Sequence, residues 1–276
     1  MPEVKDYLTP IKPTWCPGCG DFGIMAALTQ TLSELNLSQN KILMFTDVGC
    51  GGNQCSWYNT YAFHSLHGRS LPPAVGAKIV NPNLTVIAQN GDGGAYGEGT
   101  NHLVHAARKN INVTYLVHNN QIYSLTTGQA TPTSDPGLKT KSTPHGVEES
   151  AINPLALALA SGATFIARGF SGDIQHLKEL IKAALNHQGF ALIDILQPCI
   201  TFNKINTFAW YQERVYKMEN HDSSNKIEAF KKAQEWGEKI PLGIFYQEQR
   251  PLPEQRNLTQ EPIENINISE LISEFI

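Results

Sequence analysis

The feature that most limits what this chain can fold into is a series of short apolar runs, each ending in a polar or glycine-rich turn. Ile42 to Val48 leads into Gly49, Cys50, Gly51 and Gly52, and Leu84 to Gln89 leads into Asn90, Gly91, Asp92, Gly93 and Gly94. Val113 to Val117 ends at His118, Asn119 and Asn120; Thr164 to Arg168 follows; Ala191 to Leu196 ends at Gln197, Pro198 and Cys199. Runs of this length, rich in Val and Ile and without polar alternation, read as strands buried on both faces of a parallel sheet. Between them lie helical patterns. From Asp21 on, Met25, Leu28, Leu32 and Leu35 recur at three- and four-residue steps, and His102 to Arg108, Pro154 to Ala160 and Asp173 to His187 are the other expected helices. This alternation predicts an α/β domain over residues 1–200, built on a doubly wound, mostly parallel sheet. A charged helix at roughly Ser223 to Trp236 and a Pro- and Glu-containing tail from Pro241 predict a helical and extended extension over 201–276, packed on the domain or on a partner. Ala130 to Val147 is a loop long enough to point to function.

Composition narrows the class of function. A chain of 276 residues, 41% hydrophobic and 17% charged, can bury a full core, and its modest charge suggests contacts with other subunits. A net charge of -4 gives no basic footprint for nucleic acid. No apolar run approaches the roughly 18 residues of a membrane helix. Met1 to Thr14 lacks signal- and transit-peptide character, so a cytoplasmic protein is expected. In that compartment five cysteines point to metal or redox chemistry rather than to disulfides.

Ligands of open α/β sheets bind in the crevice beyond the carboxyl ends of the strands. Cys50, Asp92, Asn120 and Cys199 all come just after predicted strands, which gathers four unusual residues at one sheet edge. Gly91-Asp92-Gly93 has the makings of a diphosphate and metal site. Glycines let backbone N–H groups approach phosphate oxygens, while Asp92 and Asn120 offer the hard oxygens that Mg²⁺ demands. Alone, Gly-Asp-Gly is ordinary turn chemistry. Paired with Asn119-Asn120 after 25 intervening residues, one βαβ crossover later, it resembles the thiamine-diphosphate fingerprint.

Trp15-Cys16-Pro17-Gly18-Cys19 admits a thioredoxin-type reading, but that motif needs a preceding buried strand. Thr9 to Thr14 carries two prolines and no apolar run. A structural zinc site is the second rival, and spacing alone does not separate zinc from an iron–sulfur cluster, since thiolates hold both. A carbanion-forming cofactor at the same edge needs an acceptor of single electrons, which favours the cluster. Cys55 reads as a small buried apolar residue. His102 and His105, three apart on a helix, read as packing residues.

Trp15 to Gly23, Asp47 to Gly52, His64 to Arg69, Gly91 to Asn110, Asn119 to Tyr123, Thr126 to Thr133 and Gln197 to Cys199 together resemble the beta subunits of 2-oxoacid:ferredoxin oxidoreductases, from about Lys12 to Phe245. The resemblance implies a thiamine-diphosphate-binding fold, with cofactor contacts at Gly49, Gly51, His67, Gly91, Asp92, Gly93, Asn120 and Ile122. It implies Mg²⁺ on Asp92, Asn120 and the Ile122 carbonyl, and a [4Fe–4S] cluster on Cys16, Cys19, Cys50 and Cys199. His67 and Arg69 would be catalytic, binding diphosphate or substrate carboxylate, the arginine by a bidentate fork. An alpha subunit would cover the aminopyrimidine and supply the glutamate that activates it. The implied reaction is oxidative decarboxylation of a 2-oxoacid, of pyruvate or 2-oxoglutarate type, to acyl-coenzyme A and CO₂. Electrons would pass through the cluster to ferredoxin. Gly94 stands where many relatives carry Asp, Asn53 and Thr127 where several carry Lys, and His118 where an apolar residue is common, so no substrate preference follows. A cluster-free thiamine decarboxylase or carboligase and a zinc-stabilised, non-catalytic module are the alternatives.

Overall fold

A computed structural model describes residues 2–253 and, beyond them, Asn267, Ser269 and Ser273. The rest of the expected tail lies outside the described residues. In chain order the elements are α1 (Asp21–Glu34), β1 (Ile42–Thr46), β2 (Tyr61–His64), α2 (Leu71–Val80), β3 (Thr85–Gly91), α3 (Thr100–Lys109) and β4 (Thr114–Asn119). A small hairpin follows, β5 (Ile122–Tyr123) and β6 (Gln129–Ala130), then α4 (Pro154–Ser161), β7 (Phe165–Phe170), α5 (Ile174–Asn186) and β8 (Ala191–Leu196). The chain continues through α6 (Phe208–Gln212), β9 (Val215–Lys217), α7 (Lys226–Ala233) and β10 (Ile240–Gln247). One sheet runs in the order β2-β1-β3-β4-β8-β7-β10-β9. Its pairings are parallel from β2 through to β7; β10 lies antiparallel to β7, and β9 parallel to β10. The architecture is the doubly wound, mostly parallel α/β sheet that the alternating pattern predicts.

Successive side chains of a strand point to opposite faces. In β3, Val86 and Ala88 join a core layer with Leu71 of α2, Leu103 of α3 and Leu155 of α4. Ile87 between them joins the opposite layer with Leu28 of α1 and Ile181 of α5. A strand covered this way on both sides is apolar on both faces, which is why the run Val86 to Ala88 lacks alternation. The helices are bounded by recognisable signals. Asp173 caps α5 by accepting from the His176 N–H, Asn153 caps α4 through the Ala156 N–H, and left-handed Gly162 ends α4.

The five expected strands form as β1, β3, β4, β7 and β8, and the expected helices form with ends shifted by a few residues. The charged C-terminal helix is shorter than its pattern, covering Lys226–Ala233. Elements absent from the sequence reading include β2, all four residues of which are exposed, and α2, which starts on two prolines in its first turn. The segment after 200 also contributes β9 and β10 to the main sheet, the latter beside β7.

Candidate cofactor and cysteine site

Because β1, β3, β4 and β8 are neighbours, the turns that leave them meet at one sheet edge. A cavity of about 100 Å³ opens there, and Gly49, Gly51, His67, Gly91, Asp92, Gly93, Asn120 and Ile122 all line it. A second cavity, of about 230 Å³, is lined by Cys16, Cys19, Cys50 and Cys199, with Asp21 and Asn53. Cys50, Asn120, Ser124, Leu125 and Gln197 belong to both walls. Of the expected site residues only Arg69 stands apart from both linings. It is exposed, and its Nη1 donates to the Glu98 carbonyl at 2.6 Å.

Asp92 is 1% exposed. Its Oδ2 accepts from the hydroxyls of Thr131 (2.6 Å) and Thr133 (2.5 Å), and its Oδ1 takes a longer bond, 3.4 Å, from the Asn120 N–H. Burial pushes the Asp92 carboxyl up to about 6 against the pull of those three donors. Both hydroxyls come from the long loop after β6. Asn120 Oδ1 accepts from the Ile122 N–H at 3.0 Å, which sets that oxygen beside the cavity. At Gly49 and Gly91 a Cβ would meet nothing within 4 Å, so the space beside those backbones is a cradle that a side chain would fill. A π-helical turn, Gly94–Glu98, follows the Gly-Asp-Gly run. A side chain at Gly94 would collide with the Asp47 carboxylate, and one at Gly93 with the Tyr123 ring.

His67 Nδ1 lies 3.2 Å from Asp47 Oδ2, and its Nε2 lies 3.6 Å from Glu98 Oε2 at the mouth. The Asp47 hydrogen bond raises the imidazole above its ordinary value. Burial raises the Asp47 carboxyl, while the His67 and Gly68 N–H hydrogen bonds pull it down. Arg69 gives its hydrogen bond to a backbone carbonyl.

The four cysteines are assembled by short, local contacts. Trp15 Nε1 donates to the Cys50 carbonyl at 2.7 Å, tying the first cysteine pair to the third. The Gly20 N–H donates to the Pro198 carbonyl at 3.3 Å, tying it to the fourth. Thr201 Oγ1 reaches Cys16 Sγ at 3.1 Å, and Ser124 Oγ reaches Cys199 Sγ at 3.2 Å. Burial pushes the Cys50 thiol up to about 12, with Asp21 and the other thiols adding to it, and burial likewise raises Cys19. Thiols held this way ionise when positive metal charge arrives. Among the described residues no three His, Cys, Asp or Glu side chains converge tightly enough to hold one metal ion. The four cysteines all line the same cavity of about 230 Å³. Cys55 lines neither cavity.

Several participants escaped the sequence reading. His118, 1% exposed, pairs through Nδ1 with Asp21 Oδ1 at 2.6 Å, and Asp21 Oδ2 in turn accepts from Cys19 Sγ at 3.4 Å. Asp194 accepts from Tyr96 (2.9 Å) and from Asn119 Nδ2 (3.0 Å) directly behind the site. A carboxylate inside the apolar run 191–196 was the visible signal for it; Thr131, Thr133 and Gln197 stood in stretches that carry the resemblance, with no role of their own assigned.

Comparison with known proteins places the chain in a family. Residues 47–195 match the family described as "Thiamine pyrophosphate enzyme, C-terminal TPP binding domain", and 199–260 match the family of C-terminal segments of the pyruvate ferredoxin oxidoreductase beta chain. The chain is 46% identical to the beta subunit of 2-oxoacid:ferredoxin oxidoreductase 1 of Aeropyrum pernix, over 88% of this chain and 80% of that one. With the corresponding beta subunit of Saccharolobus solfataricus it shares 47% identity, over 84% and 81%. A solved 2-oxoglutarate:ferredoxin oxidoreductase from Magnetococcus marinus, with 2-oxoglutarate, coenzyme A and succinyl-CoA bound, superposes with a TM-score of 0.93 at 36% identity, over 99% of this chain and 96% of that one. Fold and sequence agree: the chain belongs to the family of 2-oxoacid:ferredoxin oxidoreductase beta subunits.

Proposed function

We propose that this subunit, with an alpha partner, catalyses the oxidative decarboxylation of a 2-oxoacid of pyruvate or 2-oxoglutarate type to acyl-coenzyme A and CO₂ in the cytoplasm, with ferredoxin as electron acceptor. The observation that carries the reading is the shared wall. The cavity lined by the Asp92 and Asn120 side chains and the cavity ringed by four cysteines have Cys50, Asn120 and Gln197 in common.

Asp92, Asn120 and the Ile122 carbonyl would hold Mg²⁺, and the turns at Gly49, Gly51, Gly91 and Gly93 would admit the diphosphate. Cys16, Cys19, Cys50 and Cys199 would hold a [4Fe–4S] cluster, which carries electrons one at a time. When bound, thiamine diphosphate supplies a carbanion for addition to the 2-oxoacid carbonyl and an electron sink for loss of CO₂. The chain's own part is placement and charge. Thr131 and Thr133 fix one oxygen of Asp92 and so aim the other. His67, biased toward its charged form by Asp47, offers a cation to a diphosphate or a substrate carboxylate. Arg69, outside both linings, would supply a second only by leaving the Glu98 carbonyl, and Lys141 Nζ, 3.4 Å from Thr127 Oγ1, brings an ammonium to the loop where several relatives carry lysine.

Anaerobic co-purification with the partner subunit, followed by iron, sulfide and thiamine analysis and a turnover panel of 2-oxoacids, tests the proposal. Iron and thiamine together with ferredoxin-dependent turnover are expected. Thiamine without iron would point to the cluster-free decarboxylase, and zinc without either to the non-catalytic module.

A further inference from the structure

Gln197 joins the two cavities chemically as well as spatially. It is 1% exposed, its backbone N–H donates to the Asn119 carbonyl at 2.8 Å, and its side-chain amide spans the shared wall. Oε1 accepts from Asn120 Nδ2 at 2.7 Å, while Nε2 donates to the Pro198 carbonyl at 3.1 Å and to Cys19 Sγ at 3.3 Å. The orientation of both amides is fixed by groups that cannot exchange roles. The Ile122 N–H needs an oxygen acceptor, which must be Asn120 Oδ1. Asn120 Nδ2 therefore faces Gln197, which must present Oε1 to it. The Gln197 nitrogen is then left to the Pro198 carbonyl and the Cys19 sulfur, both acceptors. Reversing Gln197 would set nitrogen against nitrogen at one end and oxygen against oxygen at the other. A Cβ at Gly20 would stand 3.0 Å from Gln197 Cγ and 3.0 Å from Pro198 Cδ, so the close chain approach that seats this amide calls for glycine there.

We infer that Gln197 is a positioning residue that tunes both centres at once, holding Asn120 Oδ1 toward the cation and donating an N–H to the sulfur of Cys19. The inference rests on the proposed Mg²⁺ and cluster ligation. Hydrogen bonds to ligand sulfurs raise the reduction potential of a cluster. Residues that orient a metal ligand from behind are typically worth about 10–100-fold in metal affinity.

The experiment compares Gln197→Leu, which removes both contacts, with Gln197→Glu, which keeps an acceptor for Asn120 but places a carboxylate beside Cys19. Each is prepared anaerobically in the complex with the partner subunit. The cluster midpoint potential is measured by redox titration followed by electron paramagnetic resonance, and Mg²⁺ affinity by thiamine-diphosphate binding at varied Mg²⁺. Gln197→Leu is expected to shift the potential negative and weaken Mg²⁺ by about 10–100-fold. Gln197→Glu should shift the potential negative while its Mg²⁺ affinity stays closer to the parent's. An unmoved potential in both variants, or an unmoved Mg²⁺ affinity in Gln197→Leu, overturns the role. Should Gln197→Leu fail to fold, the isosteric Gln197→Glu decides on the potential alone. A parent complex that holds no iron would sink the cluster reading itself, whereas an iron-loaded parent with unmoved variants sinks only the role of Gln197.

Discussion

Asp92 is the residue whose chemistry is easiest to isolate. Its carboxylate is buried against two hydroxyls and supplies the one acidic side chain of the proposed Mg²⁺ set. Asp92→Ala is expected to abolish retention of thiamine diphosphate while leaving cluster absorbance largely intact; loss of both would mean the motif is mainly structural. Its pH behaviour gives a second handle. Burial raises the group to about 6, so the folded chain takes up a proton there before the unfolded chain does as pH falls. In the metal-free protein this contribution to stability is present at low pH and is lost as pH rises through about 6. Cation binding requires the ionised form. Mg²⁺-dependent cofactor affinity should therefore be flat above about pH 6 and fall about tenfold per unit below it. Calorimetric titrations between about pH 5 and 8 would show this, and a flat profile throughout would remove Asp92 from the ligand set. Asp92, Asn120 and the cysteines were legible because such side chains stand out in a glycine frame after an apolar run. Gln197, Thr131 and Thr133 were legible only as members of the resembling stretches, since their roles are hydrogen bonds whose partners are chosen by tertiary packing.

Among the elements, β7 and β8 carry the most consequential polar contact. Arg168 and Asp194 are register partners on these parallel strands, with Nε and Oδ2 3.6 Å apart and both side chains buried. The guanidinium also sits 5.3 Å from the Trp236 ring and 5.6 Å from the Phe245 ring, which ties the C-terminal segment to the central sheet. Burial raises Asp194 and lowers Arg168, each shift opposed by the other charge. Removing one partner leaves an uncompensated buried charge. Arg168→Met should cost about 3–5 kcal/mol in denaturant unfolding. A loss below about 1 kcal/mol would show that Tyr96 and Asn119 satisfy Asp194 without the arginine. The central strands were readable because both faces are covered and their residues are mostly apolar. The outlying strands were not: the edge strand β2 is short with all its residues exposed, and β10, between β7 and β9, carries Pro241 and Gly243, which break any period.

At the scale of the whole molecule, part of the exposed apolar surface lies near the site. Tyr61 and Phe63 on the open edge strand are 61% and 50% exposed, Leu66 is 77% exposed, and Val48 beside the cofactor cavity is 40% exposed. An unpaired edge bearing large apolar side chains marks a surface that is covered in use. It adjoins His67 and Gly49, where the proposed alpha subunit would close the pocket. Each such side chain contributes about 1.5–3 kcal/mol when buried, so Leu66→Asp should weaken association with the partner tenfold or more with the fold unchanged by circular dichroism. Undiminished co-purification would place the partner elsewhere. No helix among the described residues is long and apolar enough to cross a membrane.

The shared wall between the cavities also bears on how the protein comes to be made. Cys16 and Cys19 leave the ribosome roughly 180 residues before Cys199, and Asp92 and Asn120 emerge in between. At 5–20 residues per second, that interval lasts about 10–40 s. The first cysteine pair waits through it without its fourth companion, and Asn120 waits without Gln197 to turn its amide. Loading of the proposed cluster and final alignment of the proposed cation site would thus both be late steps of biosynthesis, and a chain cut short before Gln197 would lack both.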